Sequence, residues 1–180
     1  HMSSVAYFKT ASSTVTTIAK PLTYTILQNT PSAISCTLDS ELVGIEDSVT
    51  VEAWVRWTPN GGFPATGNCV VNLFGSISLC LSRVSDQYAA LVFSVSIQGT
   101  VFSVSSDTVH VAANTWTHVA GSSYRLSSTS PIELAVFING HRVNVRQRPR
   151  DSLDKTSLTS ISVGGSFPGE IEGLRTAGAV

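Results

Sequence analysis

Two glutamates near the end of the chain stand at a spacing that could serve glycoside chemistry. Glu170 and Glu172 alternate along a predicted strand, so both carboxylates lie on one face, roughly 7 Å apart. Retaining glycosidases use two carboxyl groups about 5–5.5 Å apart, one as nucleophile and the other as acid. A solvated strand face has the same pattern, and we favour that interpretation.

A second stripe offers binding chemistry. Glu52, Trp54 and Arg56 alternate with apolar residues, so on a strand all three lie on one face. An aromatic ring between opposite charges can stack on a sugar ring or anchor a peptide. The favoured alternative is that a neighbouring loop, such as residues 61–63, covers Trp54 as an accessory core.

Other nucleophiles and bases form no catalytic pattern. His110, His118 and His141 are scattered, and we interpret His118 as a hydrogen-bonded packing residue. The chain has neither a Gly-x-Ser-x-Gly elbow nor a Gly-rich phosphate loop before a helix. These absences predict that the chain is not an enzyme.

The three cysteines, Cys36, Cys69 and Cys80, leave at least one thiol unpaired, which fits a reducing compartment or small buried hydrophobes. Cys69 and Cys80 flank a predicted hairpin and could face each other. A disulfide between them is the less favoured alternative.

Composition limits both the size and the partners of the protein. With 180 residues, 42% of them hydrophobic and 13% charged, the chain predicts one compact domain. Its net charge of −1 argues against nucleic acid, and no apolar run reaches the ~20 residues that a membrane span needs. Residues 1–2, His-Met, resemble a cloning remnant, so we assign residues 3–180 to a single domain taken from a longer protein.

One basic cluster stands out against this nearly neutral background. Arg142, Arg146, Arg148 and Arg150 lie beside a predicted turn and are followed by acidic residues. We favour a solvated hairpin flank over a patch for phosphate or sulfated glycans.

Apolar residues recur with period two almost everywhere, which predicts short strands. In the clearest hairpin, Leu134, Val136 and Ile138 lead into Asn139-Gly140, and Val143 and Val145 are expected to return on the same face. Ile171 and Leu174 are three apart, so pointing both inward requires a β-bulge at Gly173. Only Asp39–Glu46 and Asp151–Leu158 could hold a short helix.

Three stretches, in order, resemble the laminin G-like domain of the concanavalin A-like superfamily. They are SVTVEAWVR at 48–56, NTWTHVA at 114–120 followed by the hairpin ending at Ile138-Asn139-Gly140, and ISVGG at 161–165 with FPG and IEGLR up to 175. The resemblance implies an all-β fold, an antiparallel two-sheet β-sandwich of the concanavalin A-like jelly-roll type. Independently of the resemblance, Trp116 opens a predicted strand after a tight turn, where a large aromatic side chain is expected to cap the edge of the core.

The resemblance also bears on function. Laminarinase-like members carry Glu-x-Asp-x-x-Glu on one strand, but the third acidic position here is Arg175. The resemblance also allows a calcium ion, although Asn72, Asp86 and Asp107 are better explained as turn residues, so no cofactor and no metal site are assigned.

We therefore expect a non-catalytic, lectin-like binding module that recognises a carbohydrate or a protein partner within a larger protein. The residues expected to carry binding are Glu52, Trp54 and Arg56. The alternative is a structural protein–protein interaction domain of an intracellular scaffold, and a glycoside hydrolase is less favoured. The sequence does not indicate a compartment.

Overall fold

The computed structural model describes residues 34–37, 48–59, 68–73, 75–125, 129–148, 160–164 and 167–179. These ranges contain eleven strands and no α-helix. The segments Asp39–Glu46 and Asp151–Leu158 lie outside them. The strands are β1 (Ile34–Thr37), β2 (Ser48–Trp57), β3 (Asn68–Leu73), β4 (Ile77–Arg83), β5 (Tyr88–Ile97), β6 (Thr100–Ala112), β7 (Thr117–Arg125), β8 (Ile132–Ile138), β9 (His141–Arg148), β10 (Ser160–Val163) and β11 (Gly169–Ala179).

The strands form two antiparallel sheets. A six-stranded sheet has the order β1-β10-β3-β4-β5-β6, and a five-stranded sheet has the order β11-β2-β7-β8-β9. Strands that are neighbours along the chain often pair as hairpins, whereas β1–β10, β10–β3, β11–β2 and β2–β7 join distant segments. The predicted all-β sandwich is confirmed.

The inner face of β2 shows how alternation builds the core. Its inward residues, Val49, Val51, Ala53, Val55 and Trp57, are each at most 1% exposed. Facing them are the inward residues of the six-stranded sheet, among them Leu79, Leu91 and Phe93. Trp57 also donates a hydrogen bond from Nε1 to the carbonyl of Val111 in β6, at 3.1 Å, which links the two sheets across the core.

The Asn139-Gly140 turn is confirmed, because both residues have positive φ angles, 51° and 77°. The return strand differs from the expectation. A register shift after the turn leaves Val143 unpaired and places Val145 opposite Ala135. Val143 packs partly buried against the core, whereas Val145 is exposed, so the prediction that both return on one face was wrong for Val145.

The predicted bulge at Gly173 is confirmed. The pairing of β11 with β2 shifts between Glu172 and Arg175, and Gly173 has a φ of +61°. Ile171 and Leu174 are both buried as a result. Glycine suits this position because a left-handed backbone costs it little.

The favoured prediction that Cys69 and Cys80 are not bonded to each other was wrong. Cys69 in β3 lies directly opposite Cys80 in β4, and the two form a disulfide. The alternation of these strands puts both cysteines on the outer face of the six-stranded sheet, because their neighbours Val70 and Leu81 are fully buried.

Replacing Gly121 with alanine should destabilise the sandwich by about 1–3 kcal/mol through overpacking. Gly121 is buried in β7, and a Cβ there would lie 2.2 Å from Cδ2 of Phe93 in the opposite sheet. Urea denaturation measures the loss. Adding Phe93→Leu to Gly121→Ala should cost less than the sum of the two single changes, whereas additive losses would contradict the proposed clash.

Opening the disulfide should lower the free energy of unfolding by roughly 2–4 kcal/mol. Denaturation of the Cys69→Ser/Cys80→Ser variant beside the oxidised parent measures this difference. Alkylation of the denatured, unreduced parent should modify one of the three cysteines, Cys36. Three modified cysteines in protein purified without reductant would contradict the pairing.

Candidate functional site

The outer faces of the two sheets differ in chemistry. On the six-stranded sheet a row of small uncharged side chains runs from strand to strand: Ser162, Asn72, Ser78, Ser94 and Ser103. Ser94 and Ser103 share a hydrogen bond of 2.9 Å between their hydroxyl oxygens. Charged and large aromatic side chains are instead concentrated on the outer face of the five-stranded sheet, which makes that face the candidate for recognition.

Eight residues on that face form what we call the outer strip. They are Glu52, Trp54 and Arg56 of β2, Trp116 just before β7, His118 of β7, and Glu170, Glu172 and Arg175 of β11. The strand register brings them together, because β2 lies between β11 and β7. Trp54 is opposite Glu172 on one side and His118 on the other.

Trp54 is the centre of the strip and is 47% exposed. His118 packs against it edge-on, with ring centroids 5.4 Å apart and planes at 64°. On the opposite side the indole lies next to the bulge at Gly173, where an added Cβ would be 3.6 Å from Cδ1 of Trp54. Because glycine has no side chain, the bulge does not cover the indole. Residues 61–63, which the sequence offered as a cover for Trp54, lie outside the described ranges.

Arg56 is held by two partners. Its Nε and Nη2 atoms both approach Oε2 of Glu170, at 2.6 and 2.5 Å. Its guanidinium also lies 5.5 Å from the ring centroid of Trp116, within the range of a cation–π contact. The Glu170 side chain is only 11% exposed, so this charge-assisted pair is largely shielded from water.

A second set of charges borders Trp54. The two carboxylate oxygens of Glu52 face different partners. Oε2 lies 3.6 Å from Nε2 of His118, and Oε1 lies 3.6 Å from Nη1 of Arg175. Arg175 is the most exposed of the three, with 65% of its side chain accessible. Glu52 is thus fixed between two potential cations, and His118 contacts both Glu52 and Trp54, consistent with a packing role.

Trp116 does not cap the core as the sequence suggested. It is 38% exposed and lies on the outer face, over Arg56. The alternation of NTWTHVA could have revealed this, because Thr117 and Val119 are the buried residues of the motif. If Thr117 and Val119 point inward, then Trp116 and His118 must point outward.

The two glutamates considered for catalysis both lie on the outer face, as predicted, but in unlike settings. Glu170 is the buried partner of Arg56, whereas Glu172 is exposed beside Trp54. Within the described part of the chain, Glu172 makes no ion pair. The guanidinium of Arg56 therefore neutralises one member of the pair and leaves the other as an open acceptor.

The basic cluster is dispersed by the fold. Arg142 donates a hydrogen bond to the Tyr124 hydroxyl, Arg146 bonds the carbonyl of Ser103, and Arg148 is buried against the Ser123 hydroxyl. Arg150 lies outside the described ranges. The three described arginines thus have different partners and do not form a single anion-binding patch.

Arg142 belongs to a small polar cluster on β7, β8 and β9. The Tyr124 hydroxyl donates to Oε2 of Glu133 at 2.7 Å. This hydrogen bond raises the pKa of Tyr124, and partial burial adds to the rise while Arg142 opposes it. The phenol therefore stays protonated to a higher pH than usual and keeps Glu133 and Arg142 in place.

The oxygens considered for calcium have local partners. Asn72 accepts a hydrogen bond from the Gly75 backbone at 3.1 Å, Asp107 accepts one from the Asn144 amide at 3.0 Å, and Asp86 pairs with Arg83. No group of three or more His, Cys, Asp or Glu side chains in the described ranges is placed to hold a metal ion. The same ranges contain no helix long and apolar enough to cross a membrane.

The chain belongs to the concanavalin A-like lectin/glucanase superfamily, since a laminin G model of that superfamily matches residues 31–179. The laminin G-like resemblance of the three sequence motifs is thereby confirmed. The superfamily contains both binding modules and enzymes. No curated protein matches the chain significantly.

Several solved structures share the fold. A carbohydrate-binding module (CBM40) of the Ruminococcus gnavus IT-sialidase, bound to α2,3-sialyllactose, has a TM-score of 0.56 at 11% identity, covering 81% of this chain and 85% of that one. The botulinum neurotoxin serotype D binding domain has a TM-score of 0.55 at 16% identity, covering 80% and 36%. The heptameric SAP-like pentraxin from Limulus polyphemus has a TM-score of 0.52 at 14% identity, covering 73% and 64%. At these identities the likeness concerns the fold alone.

Acrylamide quenching should divide the three tryptophans into two accessible and one protected, because Trp54 and Trp116 are exposed and Trp57 is fully buried. Trp54→Phe and Trp116→Phe should each reduce the quenchable fraction of the fluorescence, and Trp57→Phe should increase it. A quenchable fraction that is unchanged by Trp54→Phe would show that another part of the chain covers Trp54.

Proposed function

We propose that this domain is a non-catalytic, lectin-like binding module that recognises a carbohydrate at the outer strip. The observation that carries the proposal is the 47% exposure of Trp54 on a sheet face, between charged neighbours that are already held in place. Trp54 is not alone on this face, because Trp116 is also 38% exposed there, and a group of exposed aromatic side chains with a polar border marks an interaction surface, which a single exposed residue does not.

The chemistry of the strip suits a sugar. The C–H face of a pyranose is apolar and can lie on an indole, while its hydroxyls need donors and acceptors at the edge of the ring. Glu52, Glu172 and Arg175 border Trp54 and supply both kinds of group. Glu52 and Arg175 lie within ion-pair distance of each other, which reduces the conformational entropy that these two side chains lose on binding.

The absence of catalysis is part of the proposal. Glu170 is paired with Arg56, and Arg175 occupies the place of the third acidic residue of the laminarinase-like pattern. A hydrolase would need a second carboxylate free to act as acid or nucleophile. The structural relatives whose names describe binding domains or modules are compatible with this assignment without deciding it.

The Cys69–Cys80 disulfide weighs against the alternative of an intracellular scaffold domain, although the odd number of cysteines that first supported this alternative still leaves one of the three outside the bond. Disulfides persist mainly in oxidising compartments, so the bond favours a role outside the cytosol. Binding of a protein to the same strip is the competing outcome that the following experiment distinguishes.

A glycan array probed with the whole domain, with and without calcium, tests the proposal. Trp54→Ala should lower the affinity for the bound glycans at least about tenfold, since the stacking surface is lost. Tyr88→Ala is the matched control, because Tyr88 is 46% exposed but lies on the six-stranded sheet, and it should leave binding unchanged. A blank array, or equal losses in both variants, would refute carbohydrate recognition at the strip.

A further inference from the structure

The outer strip contains two exposed indoles, and their spacing bears on the size of the ligand. Trp54 is opposite His118, and Trp116 lies two residues before His118, just ahead of β7, with the Arg56 guanidinium 5.5 Å from its ring centroid. Arg56 follows Trp54 by two residues on the same face of β2, roughly 7 Å along the strand, so the two indoles belong to one surface. A monosaccharide stacked on Trp54 leaves Trp116 without a ligand contact, whereas the second sugar ring of an oligosaccharide can reach Trp116.

The residues between the two indoles are fixed. Arg56 lies beside Trp116 and is held there by Glu170, and His118 is packed against Trp54. Both indoles are therefore positioned before any ligand arrives. A preorganised pair of aromatic platforms favours an extended oligosaccharide over a single sugar, because the second contact costs little additional ordering.

The charges of the strip indicate which oligosaccharides fit. The strip carries three carboxylates, Glu52, Glu170 and Glu172, against two guanidinium groups. Arg56 is paired with Glu170, and Arg175 lies within 3.6 Å of Glu52, so both cations are already partly neutralised. Glu172 lies directly opposite Trp54 and has no ion-pair partner among the residues that the structure describes. It can accept hydrogen bonds from sugar hydroxyls, but it repels a carboxylate or sulfate on the ligand.

We infer that the outer strip binds neutral oligosaccharides of at least two sugar rings, with Trp54 and Trp116 as successive stacking platforms and Glu172 as the group that excludes acidic glycans. This inference rests on the proposed carbohydrate function and adds the ligand class. It adds Trp116 to the site as the second stacking platform and gives Glu172 the further role of excluding acidic glycans.

The first experiment is calorimetric titration of the whole domain with the best neutral glycan found on the array and with its constituent monosaccharide. Trp116→Ala should weaken the oligosaccharide at least about tenfold and leave the monosaccharide within about twofold, since only the second platform is removed. Trp116→Tyr should restore most of the lost affinity, and Tyr88→Ala should change neither ligand. Equal effects of Trp116→Ala on both ligands, or no effect on either, would refute the two-platform arrangement.

The second experiment compares that neutral glycan with its sialylated or sulfated counterpart at low salt. The acidic form should bind more weakly than the neutral form, and Glu172→Gln should narrow this difference at least about threefold, because the variant removes the repulsion while the amide oxygen of Gln can still accept a hydrogen bond from a sugar hydroxyl. An acidic glycan that binds the parent as well as the neutral one would overturn the inference while leaving carbohydrate recognition intact. A blank array would overturn both.

Discussion

The structure depends on the close contact between the inner faces of its two sheets. Every second residue of β2 is buried there, from Val49 to Trp57, and the Trp57 indole reaches across to the backbone of β6. Gly121 of β7 lets Phe93 approach so closely that any larger residue would collide with the ring. Because this contact fixes the inward half of each strand, it also fixes the outward half, and the positions of the outer strip follow from the packing of the core.

The outer strip has a further requirement, which is the bulge at Gly173. The extra residue keeps Ile171 and Leu174 buried while moving Arg175 into register with Glu52. Without the bulge, alternation would bring Gly173 inward and place Leu174 on the outer face beside the charged residues. The same glycine leaves the flank of Trp54 open. The bulge at Gly173 therefore affects both the packing of the core and the arrangement of the outer strip.

Electrostatics divides the molecule into two unlike faces. The row across the six-stranded sheet presents small hydroxyl and amide side chains, of which Ser94 and Ser103 share a hydrogen bond. The five-stranded sheet presents ion pairs, aromatic contacts and the Tyr124–Glu133–Arg142 cluster. Interactions of this second kind hold side chains at a surface in fixed positions, which is what selective recognition needs. The laminin G-like fold supplies the frame, and under the proposed function the side chains on this face supply the specificity.

The sequence by itself determined the sandwich, the Asn139-Gly140 turn, the bulge and the outward direction of Glu52, Trp54 and Arg56, because each follows from local alternation or from the backbone freedom of particular residues. Only the tertiary structure decided which strands meet. It placed Trp116 beside Arg56 and Glu172 beside Trp54, paired Glu170 with Arg56, and joined Cys69 to Cys80. The return of Val145 was mispredicted for a related reason, since the register shift after the turn depends on how β9 packs and not on its own pattern. Partners 60 or more residues apart, such as Trp116 and Arg56, are chosen by the packing of whole sheets, which no local pattern encodes.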